Sequence, residues 1–247
     1  MDLGLEGTIQ IVTGAGSGLG RATAEALLAD GARVVVSGRR AEPLEELAAA
    51  HPDHVRVVRA DNADADTPAR LLAAAADWGA PDGLLVSVGG PPAGTVSDVD
   101  DDAWRQSFES VFLGAVRLAR VIGAAMAAGE GGSIALVLSS SVRAPLPGLG
   151  ISNGLRPGLA MVAKSLAGEL GPAGVRVNSL LPGFIDTPRT RSLQGSDAGA
   201  SRVAGIPLRR VGSPEEFGRV AAFVLSPAAS YLSGVALPVD GGAIPSL

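Results

Sequence analysis

The sequence predicts an α/β fold with a doubly wound, parallel sheet of seven strands and helices on both faces. Apolar runs rich in Val, Ile and Leu alternate with Ala-rich amphipathic stretches along the whole chain, as in repeated βαβ units. Hydrophobic residues make up 47% of the chain and aromatic residues only 3%, which suits buried parallel strands under closely packed helices. Ligands of such sheets bind at the carboxyl ends of the strands.

Each strand is predicted from a short apolar run between turn residues, and each helix from a longer amphipathic stretch. The predicted strands are Thr8–Thr13, Arg33–Ser37, Val55–Ala60, Gly83–Val88, Ser133–Ser139, Val175–Leu181 and Val235–Val239. The predicted helices are Gly18–Asp30, Ala41–Ala50, Thr67–Trp78, Asp101–Ala128, Ser152–Leu170 and Pro214–Ser226.

No linker, repeat or low-complexity tract divides the chain, so residues 1–247 are predicted to form one domain. The net charge of −5 argues against a nucleic-acid-binding surface, and the absence of cysteine excludes disulfides and thiolate chemistry. His51 and His54 share a polar turn, where we expect no metal site. No signal-like segment or membrane-spanning apolar run is evident, so a cytoplasmic protein is expected.

A glycine-rich turn, Thr13–Gly20, follows the first strand and opens a helix. Glycine lets the backbone approach a pyrophosphate, and the helix N-terminus offers free N–H groups to it. A tight turn without a ligand is the alternative, but the position between strand and helix favours a Rossmann-type dinucleotide site. Its predicted cofactor-binding residues are Gly14, Gly16, Ser17, Gly18, Leu19 and Gly20.

The second strand bears on the choice of cofactor. An acidic residue at its end would bind the ribose 2′-hydroxyl of NAD, whereas arginine accommodates the 2′-phosphate of NADP. Gly38 occupies the acidic position here, and Arg39 and Arg40 follow it. NADP is therefore favoured over NAD. The alternative is that the two arginines are only solvated residues before the next helix and contact no phosphate.

The Thr-Gly-x-x-x-Gly-x-Gly spacing resembles the short-chain dehydrogenase/reductase family, and the resemblance extends from about residue 5 to residue 242. Three further matches lie at or after strands: Asp61-Asn62, the segment from Asn178 to Gly183 with Thr187, and Val239-Asp240-Gly241-Gly242. A fourth, Lys164-Ser165-Leu166-Ala167 with Glu169-Leu170, lies in the later half of the predicted helix Ser152–Leu170. The resemblance implies that the cofactor is also contacted by Asp61, Asn62, Gly89, Arg156, Pro182, Gly183, Ile185 and Thr187. It also implies a mobile lid over the substrate at about 184–210.

The catalytic positions of that family are largely replaced. Its Tyr-x-x-x-Lys pair falls on Ser152 and Arg156, and its asparagine falls on Val111, whereas Ser139 keeps the usual serine. The candidate catalytic residues are therefore Ser139, Ser152 and Arg156. The chain resembles a divergent branch near the 3-oxoacyl-carrier-protein reductases.

These replacements weaken acid–base chemistry. A phenol has a pKa near 10 that a neighbouring cation can lower, whereas an aliphatic hydroxyl starts several units higher. Arginine ordinarily stays protonated above pH 12. Tyr231, the only tyrosine, is expected to be structural. Asp186 is either a proton relay or a solvated loop residue, and Ser139–Ser141 either orients a substrate oxygen or simply closes a strand.

Three functions remain open at this level. The favoured one is an NADP-linked oxidoreductase acting on a carbonyl/alcohol pair. The alternatives are a dinucleotide-binding protein without turnover, acting as a sensor or an inactive partner, and a changed reaction such as dehydration or isomerisation. Small residues on the helices Asp101–Ala128 and Ser152–Leu170 suit helix interfaces, and family resemblance implies a homotetramer.

Overall fold

The computed structural model describes residues 2–191 and 197–246. Its centre is a parallel sheet of seven strands in the order β3-β2-β1-β4-β5-β6-β7. The strands are β1 (Ile9–Val12), β2 (Arg33–Gly38), β3 (Val55–Arg59), β4 (Gly83–Val86), β5 (Gly132–Val137), β6 (Val175–Pro182) and β7 (Ala236–Val239). The strand order reverses between β1 and β4, and in open α/β sheets that crevice binds the ligand.

Helices cover both faces of the sheet. They are α1 (Gly18–Ala29), α2 (Glu42–Ala50), α3 (Thr67–Ala75), α4 (Asp101–Ser107), α5 (Gly114–Ala127), α6 (Gly150–Leu170), α7 (Pro188–Arg191), α8 (Asp197–Ala204) and α9 (Pro214–Leu225). One apolar core lies under α3, α5 and α6 and includes Leu71, Ile122 and Leu159. The other lies under α1, α2 and α9 and includes Leu27 and Phe217. The predicted fold class is therefore confirmed.

The predicted helix Asp101–Ala128 is wrong in one respect, because a π-helical segment, Phe108–Leu113, separates α4 from α5. A Cβ at Gly114 would lie 2.3 Å from the carbonyl oxygen of Asn62. The helix thus approaches the loop after β3 more closely than any side chain allows.

By length and composition alone, the segment Asp101–Ala127 could cross a membrane. This finding corrects the expectation that the chain has no such run. Within the segment, Leu118 and Ile122 are fully buried in the core.

The segment at 184–210 lacks helical periodicity in sequence, yet it contains α7 and α8. Residues 192–196 of that segment lie outside the described residues. A parallel bridge between Ile185 and Gly212 fastens its two ends together. The remaining predicted elements differ from the observed ones only at their ends, as with α6, which begins at Gly150 rather than Ser152.

Candidate active site

A cavity of about 700 Å³ runs along the carboxyl ends of the central strands. Predicted site residues line it from several parts of the chain: Gly14, Gly16, Ser17, Gly18, Leu19, Arg39, Asp61, Asn62, Gly89, Ser139, Ser152, Arg156, Pro182, Gly183, Ile185 and Thr187. Gly20 does not line it. A Cβ at Gly20 would lie 2.4 Å from the carbonyl oxygen of Gly14, so this glycine lets α1 pack against the turn.

The glycine turn leaves the amino end of α1 open. Ser17 is the residue before the helix, and its side chain makes no capping hydrogen bond. The first turn of α1 also holds no acidic residue. Free N–H groups and the positive end of the helix dipole therefore face the cavity, as an anionic pyrophosphate requires. Gly14 has φ +63°, and a Cβ there would lie 2.6 Å from the carbonyl oxygen of Ser87.

A small network ties β1 to β4 beside this turn. The hydroxyl of Thr13 donates to the carbonyl oxygen of Ser87 at 3.0 Å and accepts from its N–H at 3.0 Å. The amide of Asn62 donates to the hydroxyl of Thr13 at 3.3 Å. Asn62 therefore fixes the strand ends as well as lining the cavity, a role that the sequence did not indicate. Asp61 accepts from the N–H of Ala63 at 3.0 Å.

At the end of β2, Arg39 and Arg40 are exposed and line the cavity. A Cβ at Gly38 would meet Leu44 at 3.7 Å and the nitrogen of Gly16 at 3.8 Å, both ordinary contacts. Packing therefore does not exclude an acidic side chain at position 38. Its absence leaves this end of the cavity positively charged beside Gly16.

The catalytic end of the cavity is built on β5 and α6. The Ser152 hydroxyl lies 3.1 Å from that of Ser141, and both side chains are buried. The Ser139 hydroxyl accepts from the N–H of Ser141 at 3.1 Å. Ser141 thus links the two candidate serines without lining the cavity itself. Val111, at the asparagine position, lies in the π-helical segment and lines the cavity.

Arg156 is buried, with 4% of its surface exposed. Its Nη1 atom donates to the carbonyl oxygen of Val137 at 2.5 Å, and its Nε atom has no partner among the residues that the structure describes. Burial, and secondarily the nearby charge of Arg189, lowers the pKa of Arg156 to about 10. The expectation that this arginine holds its proton above pH 12 is therefore corrected, because desolvation disfavours the charged form.

Two further side chains shape the substrate end. Asn153 forms a pair of 2.9 Å hydrogen bonds with the backbone N–H and carbonyl oxygen of Leu146. Leu146 lines the cavity, so this pair holds part of its wall against α6. Arg189, on α7, donates to the carbonyl oxygen of Pro91 at 2.9 Å and also lines the cavity. The Arg189 contact joins residues 98 positions apart, whereas Asn153 stands beside the predicted site residue Ser152 and bonds a residue only seven positions away.

Two other candidates lie away from the cavity lining. Asp186 forms an ion pair of 3.0 Å with Arg191 and is partly exposed, so a solvated loop residue describes it better than a proton relay. Tyr231 is fully exposed. No tyrosine or carboxylate lines the catalytic end of the cavity within the part of the chain that the structure describes.

Comparison with known proteins agrees with the fold. Residues 14–243 match the family model described as enoyl-(acyl carrier protein) reductase. The chain is 34% identical over 239 residues to cis-4-hydroxycyclohexanecarboxylate dehydrogenase of Sinomonas cyclohexanicum, covering 95% of each chain. It is 32% identical to a 3-oxoacyl-[acyl-carrier-protein] reductase of Salmonella typhimurium over 97% of this chain and 98% of the relative.

Among solved structures, L-sorbose reductase from Gluconobacter frateurii, complexed with NADPH and L-sorbose, superposes with a TM-score of 0.90. The two are 31% identical, and the match covers all of each chain. The fold and the site define a nicotinamide-dinucleotide-dependent oxidoreductase class. The chain belongs to the short-chain dehydrogenase/reductase family, as its sequence motifs predicted.

Proposed function

We propose that this protein is an NADP(H)-linked oxidoreductase acting on a carbonyl/alcohol pair. The observation that carries the proposal is one continuous cavity, lined at one end by Arg39 and Arg40 and at the other by Ser139, Ser152 and Arg156. The relatives named above, a dehydrogenase of a cyclic alcohol and a reductase complexed with NADPH and L-sorbose, also support it.

The cofactor preference rests on charge. The 2′-phosphate of NADP would be repelled by a carboxylate at position 38, and Gly38 removes that repulsion. Arg39 offers a guanidinium that can bind a phosphate in bidentate fashion. Gly14, Gly16, Ser17, Gly18 and Leu19 would hold the pyrophosphate. A bound dinucleotide would supply or accept the hydride at its nicotinamide ring.

The residues of this chain have three roles in the proposal. Ser139 and Ser152 orient the substrate oxygen by hydrogen bonding, and Arg156 contacts the cofactor ribose and the substrate beside that oxygen. In reduction, the carbonyl carbon gains a hydride and the carbonyl oxygen gains a proton. That proton would come from water in the cavity, since an aliphatic hydroxyl is too weak an acid to supply it. The hydrogen bond between Ser141 and Ser152 positions the Ser152 hydroxyl.

The second candidate is a dinucleotide-binding protein without turnover. The observation that favours it is the replacement at the catalytic end, where Val111, Ser152 and Arg156 stand in place of the family's asparagine, tyrosine and lysine. Such a protein would bind NADPH in the same cavity and act as a sensor or as the inactive partner of a related enzyme.

One experiment separates the two candidates. NADPH and NADH are titrated by fluorescence, and the protein is then assayed with NADPH against a broad panel of aldehydes, ketones and oxo acids. Tighter NADPH binding with turnover well above the solution rate supports the oxidoreductase. NADPH binding with no turnover on any substrate contradicts it and supports the second candidate. The Arg39→Ala variant should weaken NADPH binding while leaving NADH binding unchanged.

We also propose that the protein is a cytoplasmic homotetramer. Phe108 stacks on Phe112 with ring centroids 5.2 Å apart and is 43% exposed. Met161 on α6 is 67% exposed. Apolar side chains on these helices would be covered by a second copy of the chain. Light scattering should give the mass of a tetramer, and a monomeric mass would contradict the assembly.

A further inference from the structure

The cavity is positively charged although the protein is acidic. The cationic residues that line it are Arg39, Arg40, Arg156, Arg189 and Arg202, and the one lining carboxylate in the described structure is Asp61. The whole chain has a net charge of −5. Positive charge is therefore concentrated in this cavity, which favours anionic ligands.

Two of these arginines form a pair at the catalytic end. Arg156 enters from α6 and Arg189 from α7, and each repels the other's charge. Among the described residues, neither forms an ion pair with a carboxylate. Within residues 2–191 and 197–246, Arg156 forms one hydrogen bond, to Val137, and its Nε atom has no partner. Buried charges in proteins are normally paired, so this one lacks an anion.

Arg189 is held against the wall of the cavity that Gly90 and Pro91 form. Its guanidinium lies so close to Gly90 that a Cβ there would approach it to 2.3 Å. Its Nη2 atom donates to the carbonyl oxygen of Pro91 at 2.9 Å. These contacts fix the position of the head group without neutralising its charge, since a carbonyl oxygen accepts a hydrogen bond but carries no formal charge.

The anionic groups of the cofactor belong elsewhere. Its pyrophosphate belongs at the glycine turn after β1, and its 2′-phosphate beside Arg39 after β2. Arg156 bonds the last residue of β5, which is separated from β1 by β4. Two strand spacings amount to about 10 Å, beyond direct contact. The part of a bound dinucleotide that would lie near β5 is the nicotinamide ribose, whose hydroxyls are neutral.

We infer that the substrate carries a carboxylate, which binds between Arg156 and Arg189 while Ser139 and Ser152 hold its carbonyl or hydroxyl oxygen. This inference rests on the proposed function, and it narrows the substrates to oxo acids and the corresponding hydroxy acids. A planar carboxylate matches the paired N–H donors of a guanidinium, and its negative charge would balance the positive charges of Arg156 and Arg189.

The spacing of the site limits the size of the acid. Ser139 follows Val137, the partner of Arg156, by two residues, which corresponds to about 7 Å along an extended chain. The carboxylate and the reacting oxygen are therefore a few bonds apart. An acid with its oxo group at carbon 2, 3 or 4 fits this spacing better than a long-chain acid does.

The test uses matched acids and amides. The amide has the shape of the acid but no charge, so 4-oxopentanoate is compared with 4-oxopentanamide, and 2-oxobutanoate with 2-oxobutanamide. Each is assayed for kcat/KM with NADPH, and its binding to the protein–NADPH complex is measured by calorimetry. We expect at least one acid to exceed its amide about ten- to hundred-fold, the range for a charge-assisted hydrogen-bonded pair.

The variant Arg189→Gln should remove most of the preference for the acid while changing the amide little. Arg120→Gln is the control, because it removes the same charge at an exposed side chain of α5 that does not line the cavity. Acid and amide turned over or bound equally well by the wild type would overturn the inference while leaving the proposed function intact. An acid that binds in an Arg189-dependent way without turnover would support the inference and contradict the proposed function.

Discussion

The Nη1 atom of Arg156 donates a 2.5 Å hydrogen bond to the carbonyl oxygen of Val137, the last residue of β5. This contact sets a buried cation at the carboxyl edge of the sheet, one helical turn after Ser152. A lysine ammonium has no comparable planar fork, so replacing lysine by arginine changes both the reach and the donor geometry of this position. The site is thus organised around a fixed charge rather than around a phenol.

We predict that Arg156→Met stabilises the ligand-free protein by about 1 kcal/mol or more, because a buried charge without an anionic partner is replaced by an apolar side chain of similar length. Binding of 4-oxopentanoate should weaken in the same variant. Urea unfolding measures the first effect, and calorimetry the second. Arg120→Met, at an exposed position of α5, is the control and should change stability by less than about 0.5 kcal/mol. A clear loss of stability in Arg156→Met would contradict the prediction.

The lowered pKa of Arg156 predicts a loss of activity in alkali. Burial lowers this pKa to about 10, so kcat/KM for an oxo acid should decline above pH 10 as the free enzyme loses this charge. A bound carboxylate favours the charged form, so kcat should hold to higher pH than kcat/KM does.

The same shift has a consequence for folding. Below pH 10 the buried positive charge of Arg156 lowers the stability of the folded chain. Above pH 10 the folded chain releases this proton before the unfolded chain does, so the contribution of Arg156 to stability becomes more favourable as pH rises. The predicted decline in activity is tested by measuring kcat/KM of the wild type from pH 8 to 10.5. In Arg156→Lys the decline should begin at lower pH, since lysine starts from a lower pKa. Identical profiles for the two proteins would refute it.

Gly38→Asp should shift the cofactor preference from NADP towards NAD. The new Cβ would make only ordinary contacts with Leu44 and Gly16, and the carboxylate would bond the ribose 2′-hydroxyl and repel the 2′-phosphate. We expect the ratio of NADPH to NADH affinity to fall at least about tenfold, equivalent to 1.4 kcal/mol. Fluorescence titration with both cofactors measures the ratio. The isosteric Gly38→Asn is the control, and an equal shift in both variants would exclude charge as the cause.

The strands were predictable because parallel strands are covered on both faces and therefore form apolar runs in sequence. The helical break at Phe108–Leu113 was not, because amphipathic spacing continues through it. Its neighbour Gly114 lies against Asn62, a contact across 52 residues that local patterns do not encode. Helix boundaries at α6 depend in the same way on the loop that precedes them.

In the site, the glycine turn was predictable because its chemistry lies within one short segment. The partners that complete the catalytic end were not. Arg189 bonds Pro91 from 98 residues away, and Ser141 reaches Ser152 only after the chain turns back to begin α6. Sequence spacing therefore indicated which hydroxyls line the cavity but not what supports them.

We predict that Ser152→Ala lowers kcat about five- to tenfold, since one hydrogen bond to the reacting oxygen contributes about 1 kcal/mol. Ser141→Ala should lower kcat by a smaller factor and leave KM unchanged, because its hydroxyl supports Ser152 without lining the cavity. Steady-state assays measure both. Ser165→Ala, at an exposed position of α6, is the control and should match the wild type. An unchanged kcat in Ser152→Ala would remove this hydroxyl from the mechanism.

Two glycines should respond to alanine in opposite directions. A Cβ at Gly183 would lie 2.6 Å from the Cα of Asp240, where the chain after β6 runs beside the chain after β7. A Cβ at Gly168 meets nothing within 4 Å. Gly183→Ala should therefore cost about 1–3 kcal/mol through overpacking. Gly168→Ala should add about 0.5–1 kcal/mol, because alanine loses less backbone entropy within α6. Urea unfolding of the two variants measures the difference. Since Gly183 lines the cavity, its substitution should also weaken NADPH binding. An unchanged affinity would mean that the close contact between Gly183 and Asp240 does not position the cofactor.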